Sequence, residues 1–223
     1  MKNNTLINNF QDKGYVIIKK LFSNNEIDKI LLDLETIKEK VSKTKQRKFS
    51  HKTHNGKFNT IHNINEFIRS GKVIDLSKSR RILKPVEILI KGKSQLRNIE
   101  FFLKPNKNKM MTPFHQDNYF WNVIGARAVN IWIACSEANK KNGGVCYLEK
   151  SHQLGTINHV ISYKKGTSQK IPDFVLKSLK FKRVYPSLNK GDAIIHNCEV
   201  IHGSYENNSN KNRVGLVFSY KAK

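Results

Sequence analysis

The chain has 223 residues, of which 38% are apolar, 9% aromatic and 26% charged. That composition predicts a single globular domain with a real core and excludes collagen-like or broadly disordered chains. Forty-one Lys and Arg against 17 Asp and Glu leave a net charge of +24, which biases partners toward anions; yet 33 of those cations are Lys and 25 residues are Asn, so the charge argues solubility and partner bias, not a site.

In chain order, residues 1–14 are polar, without the apolar run of a secretory leader, and no stretch approaches the roughly 18 apolar residues of a membrane span. A cytoplasmic protein without a membrane partner is expected, a monomer by default. A short β-branched run follows Gly14. Ser23 and Glu26 then form a Ser-x-x-Glu capping box, which predicts a helix with Ile27, Ile30, Leu31, Leu34, Ile37 and Val41 on its buried stripe. The stretch 40–65 has no acidic residue and is rich in Lys, His and Asn. It reads as a basic lid or surface excursion, with His51, His54 and His62 solvated. A second helix is expected over 74–90, broken or kinked at Pro85.

Beyond Arg97 the period changes to short strand-like runs at 99–104, 126–134, 145–149, 193–196 and 214–220, separated by Gly-, Asn- and Pro-bearing turns. This predicts a fold that is mainly β with flanking α-helices, the helices packed on an antiparallel sandwich or barrel. Residues 1–95 are read as a helical support region with the basic loop, and 96–223 as the β core, together one domain spanning 1–223. Cys135, Cys146 and Cys198 are odd in number and lie in apolar runs, so they read as buried thiols.

The segment 112–121, TPFHQDNYFW, carries the most chemistry. On an extended chain residues two apart face the same way, so His115 and Asp117 present an imidazole and a carboxylate to one point. A third ligand would complete a two-histidine, one-carboxylate triad that leaves three positions of an octahedral ion open. His202 is the candidate. Ser204 follows on the same strand face, and a hairpin would bring Arg213 back beside them, where its planar fork suits the far carboxylate of a dicarboxylic co-substrate.

Here the sequence resembles the phytanoyl-CoA dioxygenase-like family of iron(II)/2-oxoglutarate oxygenases. The resemblance lies in His115-x-Asp117, His202-Gly-Ser204 and Arg213 eleven residues past His202. It extends to Gly14-Tyr-Val-Ile-Ile, to the strand beginning at Trp132 with its turn at Asn142-Gly-Gly144, to Gly191-Asp192, and to a segment in which Glu149 and Lys150 stand where Pro and Gly are usual before Ser151-His152. It implies a double-stranded β-helix (jelly roll, cupin-like) holding Fe(II) on His115, Asp117 and His202, with 2-oxoglutarate reaching Arg213 and Ser204, and O2 as the oxidant. Hydroxylation with release of succinate and CO2 is the implied reaction, and the carboxylate at 117 disfavours halogenation. By the same comparison Lys104 and Trp132 lie near the co-substrate and Trp121 on the substrate side. His152 is expected to be structural. His196 is read as a satisfied core histidine, with a role behind the ligands as the alternative. The substrate is expected to be a small molecule, anionic or carrier-bound if the basic lid serves it. Two other readings remain at this point: a nucleic-acid oxygenase, disfavoured because no second Arg follows Arg213, and a non-enzymatic basic binding module.

Overall fold

In the computed structural model, which describes residues 3–43, 49–53, 56, 58–164 and 167–223, the chain opens on helix α1 (Asn3–Lys13). It buries only Leu6 and Phe10, one turn apart. Two apolar contacts in a polar segment are too few to announce a helix in sequence. Gly14, at φ +83°, turns the chain into β1 (Tyr15–Ile18). A Cβ there would lie 2.6 Å from His152 Nδ1, so the approach of the two segments requires glycine.

Helix α2 (Asn24–Lys43) starts on the expected box: the Ser23 N–H donates to Glu26 at 2.8 Å, and the Glu26 N–H donates to Ser23 Oγ at 3.3 Å. Its stripe of Ile27, Ile30, Leu34, Ile37 and Val41 is buried. The described part of 40–65 holds two strands, β2 (Ser50–Lys52) and β3 (Phe58–Ile61), which form a hairpin on the edge of the main sheet. His54 lies outside the described residues.

Helix α3 (Ile64–Phe67) follows, and the expected 74–90 helix divides into α4 (Lys72–Ser77) and α5 (Arg80–Leu89). The break is at Lys78–Ser79 and not at Pro85. Ser77 Oγ donates to the Ile74 carbonyl and the Lys78 N–H to that of Asp75, which closes α4, while Pro85 inside α5 denies a donor only to the exposed Arg81.

The remaining elements are β4 (Ser94–Lys104), β5 (Thr112–His115), α6 (Asp117–Trp121), β6 (Ala128–Ala134), β7 (Val145–Leu148), β8 (Val160–Lys164), β9 (Thr167–Lys170), α7 (Asp173–Ser178), β10 (Arg183–Val184), β11 (Ala193–Asn197), β12 (His202–Ser204) and β13 (Arg213–Ala222). A seven-stranded sheet runs β1-β11-β6-β13-β4-β3-β2, and a four-stranded sheet runs β10-β7-β12-β5, all pairs antiparallel. The first 95 residues thus supply three strands of the large sheet as well as helices. This is the jelly roll that the resemblance implied.

Period-two alternation divides the faces of the large sheet. From β13, Leu216, Phe218 and Tyr220 pack with the helices; from β6, Val129, Ile131 and Ile133 do the same. Their neighbours Val217 and Trp132 face the small sheet and pack with Tyr147 and Ile194. All seven residues of β6 are buried, as a strand covered on both sides must be. No helix among the described residues is long and apolar enough to cross a membrane, and the three cysteines are free and buried.

One departure from the family's residues is visible in the backbone. Lys150 adopts φ +70°, a left-handed conformation that the usual glycine takes without strain. Its ammonium pairs with Asp12 at 2.7 Å, and its N–H donates to the Lys13 carbonyl, tying this turn to α1.

Candidate metal centre

Strands β12 and β5 are neighbours in the small sheet, and His202 stands directly opposite His115 in their register. Asp117 is not on the strand: Gln116 is the last extended residue (φ −119°, ψ 133°) and Asp117 is the first of α6. His115 and Asp117 still face one point, because only residue 116 has to be extended for that. Gln116 is completely buried and saturated, its amide donating to the carbonyls of Gly155 and Glu199 and its Oε1 accepting the Ile157 N–H. It thereby fixes the backbone between the two ligands.

The ligand atoms of His115, Asp117 and His202 all lie within 4.8 Å of one another. Asp117 Oδ1 is 3.7 Å from His115 Nε2 and 3.8 Å from His202 Nε2. Each imidazole is oriented through Nδ1, which donates to the carbonyl two residues earlier: Pro113 at 2.9 Å and Val200 at 3.0 Å. That tautomer leaves the Nε2 lone pairs for a cation. Burial, with His115 and His196 nearby, outweighs the Asp117 carboxylate and lowers the His202 pKa to about 3, so its Nε2 is unprotonated at neutral pH. Burial alone would raise the Asp117 pKa, but the imidazoles, His202 foremost, pull it far below the usual carboxylate range.

The other oxygen of Asp117 is doubly held. Asn130 Nδ2 donates to Oδ2 at 2.7 Å and His196 Nε2 at 3.1 Å. Ser219 Oγ in turn donates to Asn130 Oδ1, and the Tyr147 hydroxyl donates to His196 Nδ1 at 3.0 Å. Tyr147 stacks on Tyr15, whose hydroxyl donates to Glu149. His196 is therefore engaged directly with the carboxylate, and Asn130 and Tyr147 join it without having been signalled by any local motif.

Along the same cavity, of about 310 Å³, lie Thr112, Ser204 and Arg213. Arg213 is 5% exposed; its guanidinium donates from Nη2 to the Gly143 carbonyl at 3.0 Å and rests 5.6 Å over the Trp132 ring. Its Nε has no hydrogen-bond partner, and no carboxylate pairs with it among the described residues. Burial lowers its pKa to about 10, which still leaves it cationic. Lys104 is a second buried cation; its Nζ donates to Ser204 Oγ at 2.7 Å and to the Tyr205 carbonyl, and burial, then Arg213, hold its pKa well below that of a free lysine. An unpaired buried guanidinium is costly in isolation, and an anionic ligand would relieve it. The residues present therefore fit a dicarboxylic co-substrate. Trp132 lies flat against Gly215, where a Cβ would stand 2.2 Å from its ring.

Trp121 also lines the cavity, with the Arg97 guanidinium 5.0 Å from its ring. The expectation for His62 is overturned. It lines the cavity and bonds Glu100, because β3 pairs with β4 and carries His62 to the inner face. Glu100, Asn98 and Phe102 line it too and were missed, although alternation from Lys104 along β4 places all of them on one face. His159, which accepts the Gln116 N–H at 2.9 Å and stacks on Tyr119, had no sequence signal. His152 bonds the Gln11 carbonyl, a structural tie.

Two histidines and one aspartate on a jelly roll define the class of mononuclear non-haem iron oxygenases. The chain belongs to the phytanoyl-CoA dioxygenase (PhyH) family, whose sequence pattern matches residues 10–215. Iron(II) with 2-oxoglutarate and O2 is the cofactor set of that family, and the residues present fit it, His115, Asp117 and His202 being able to hold the ion. A curated relative, phytanoyl-CoA dioxygenase domain-containing protein 1 of Danio rerio, is 24% identical over 212 residues, covering 94% of this chain; the chain spans 61% of that relative's length. Among solved structures, EctD from S. alaskensis with bound Fe is similar at TM-score 0.82 and 17% identity, over 100% of this chain and 77% of that one. EctD with 2-oxoglutarate and 5-hydroxyectoine has TM-score 0.78 and 18% identity, over 100% and 76%. The non-haem α-ketoglutarate-dependent epimerase SnoN from nogalamycin biosynthesis has TM-score 0.76 and 18% identity, over 99% and 80%. At these identities the likeness is one of fold.

Proposed function

We propose that the protein hydroxylates a small molecule, with His115, Asp117 and His202 holding Fe(II) and Arg213 and Ser204 holding 2-oxoglutarate. The observation that carries this reading is the convergence of three ligand atoms within 4.8 Å in the same cavity as a buried guanidinium that has no carboxylate partner among the described residues. When bound, iron and the keto acid together supply dioxygen activation, the co-acid leaving as succinate and CO2.

The chain's own residues do the rest. Asn130 and His196 keep Oδ2 of Asp117 occupied, so Oδ1 faces the two Nε2 atoms. Ser204 accepts from Lys104, which directs its own proton toward an anion beside Arg213. Trp132 walls the co-substrate end and Trp121 with Phe120 the other, limiting water. A carboxylate at 117 supports hydroxylation over halogenation because it fills the position a halide would need. A cavity at the small end of the range for ligand sites suits a compact substrate beside the co-acid.

Anaerobic addition of Fe(II) and 2-oxoglutarate tests the reading. A weak visible charge-transfer band is expected, to be absent in His202→Ala; a folded, iron-loaded wild type without it would overturn the proposal.

A further inference from the structure

The cavity has a second polar end, set away from Arg213. Inner-face alternation along β4 presents Asn98, Glu100 and Phe102 to it. Glu100 is in register with Val217 of β13, which is in register with Trp132 of β6. At about 4.8 Å per strand, this puts Glu100 about 10 Å across the sheet from the Trp132 strand. The metal ligands' supports, Asn130 and His196, belong to β6 and to β11 beyond it. The cavity thus extends laterally from the metal centre toward the β4–β3 edge.

That end is centred on a half-buried carboxylate. Glu100 Oε1 is bonded to His62 Nδ1, while its second oxygen receives no donor from any described residue. No Lys or Arg among the described residues pairs with it. Asn98 Oδ1 is buried without a partner. Phe102, Phe120 and Trp121 supply apolar walls. A carboxylate oxygen without a protein donor, half-buried among apolar walls, is matched by a ligand that brings N–H or O–H donors. A carboxylate or phosphate would instead bring more lone pairs beside the free Glu100 oxygen, whose charge His62 alone among the described residues offsets.

We propose that Glu100, with Asn98 and His62, anchors the substrate, and selects a small molecule presenting an amino or hydroxyl donor there in place of a carboxylate or phosphate. This rests on the oxygenase reading of the adjoining site and names its substrate class. It reverses the anionic substrate expected from the lysine-rich surface: the overall charge acts on approach, whereas the inner face sets what is held.

Three probes on one skeleton, cyclohexylmethylamine, cyclohexylmethanol and cyclohexanecarboxylate, test it by ligand-observed NMR titration of the full chain loaded with Zn(II) and saturating 2-oxoglutarate. The amine or the alcohol should bind more tightly than the carboxylate. The loss in Glu100→Gln should be about tenfold for the amine, as a charge-assisted bond requires, and smaller for the alcohol, with His62→Asn as the second variant. A preference for the carboxylate, donor affinities unaltered in both folded variants, or no donor binding at about 10 mM would each overturn the proposal. The affinity for 2-oxoglutarate, measured in the same samples, should not change in either variant. Should the wild type bind no 2-oxoglutarate, the oxygenase reading falls separately, and the titration repeated without the co-acid still reads the subsite.

Discussion

The Asp117 carboxylate has its two oxygens in different circumstances, one shared between imidazoles and one bonded to Asn130 and His196. Groups that orient a ligand typically change metal affinity by about 10–100-fold when removed. Asn130→Ala and His196→Gln are therefore expected to weaken Co(II) or Fe(II) binding within that range while the chain stays folded, as a titration followed by absorption and a thermal melt would show. Arg213 acts at the other end. Two charge-assisted bonds at about 1.5–3 kcal/mol each imply that Arg213→Ala weakens 2-oxoglutarate at least about 100-fold. Lysine at this position should recover only part of that, lacking the planar fork, and neither change should alter metal affinity. The candidate ligands His115 and Asp117 were legible in the sequence because their spacing is a local property, and His202 because Ser204 and Arg213 follow it in a motif that resembles the family's. The sequence could not show Asn130 or Tyr147, since their role depends on which strands become neighbours.

At the scale of elements, β3 and β4 are tied by the His62–Glu100 pair. Burial acts to lower the His62 pKa, but the Glu100 carboxylate outweighs it and the folded value lies above the ordinary 6.5. The imidazolium is thus favoured in the folded chain. Its contribution to stability is complete below that ordinary value and fades as pH rises through the raised one. Denaturant melts between about pH 6 and 9 should show wild type losing stability relative to His62→Asn with rising pH, and parallel curves would refute the pairing. A second element-scale device is the glycine in β13 under Trp132. Gly215→Ala places a methyl within 2.2 Å of the ring, so overpacking of about 1–3 kcal/mol is expected, together with weaker 2-oxoglutarate binding as Trp132 shifts beneath Arg213. The periodicity of α2 and of the later strands was legible because each buries a regular face. The edge hairpin β2–β3 was not, because its residues are polar and its strand character comes from pairing with β4, a nonlocal cause.

For the whole molecule, the metal centre is also a clasp. His115 lies on β5, Asp117 at the start of α6, and His202 on β12, while the bonds from Asn130 and His196 to Asp117 reach across to the large sheet. A cation bound there joins elements that unfolding separates, so it stabilises the native state in proportion to its occupancy. At about 100 times its dissociation constant, one bound ion contributes about 2.7 kcal/mol. For a chain of this length each kcal/mol moves the melting temperature by about 2–4 °C, so stripping the metal with a chelator should lower it by about 5–10 °C. The shift should return on adding Zn(II) or Mn(II) and be absent in His202→Ala, whose melt should not respond to either ion. Because folding stability is read here without oxygen or substrate, a wild-type melt indifferent to chelator and to added metal would remove the ion from these three residues whatever the reaction proves to be.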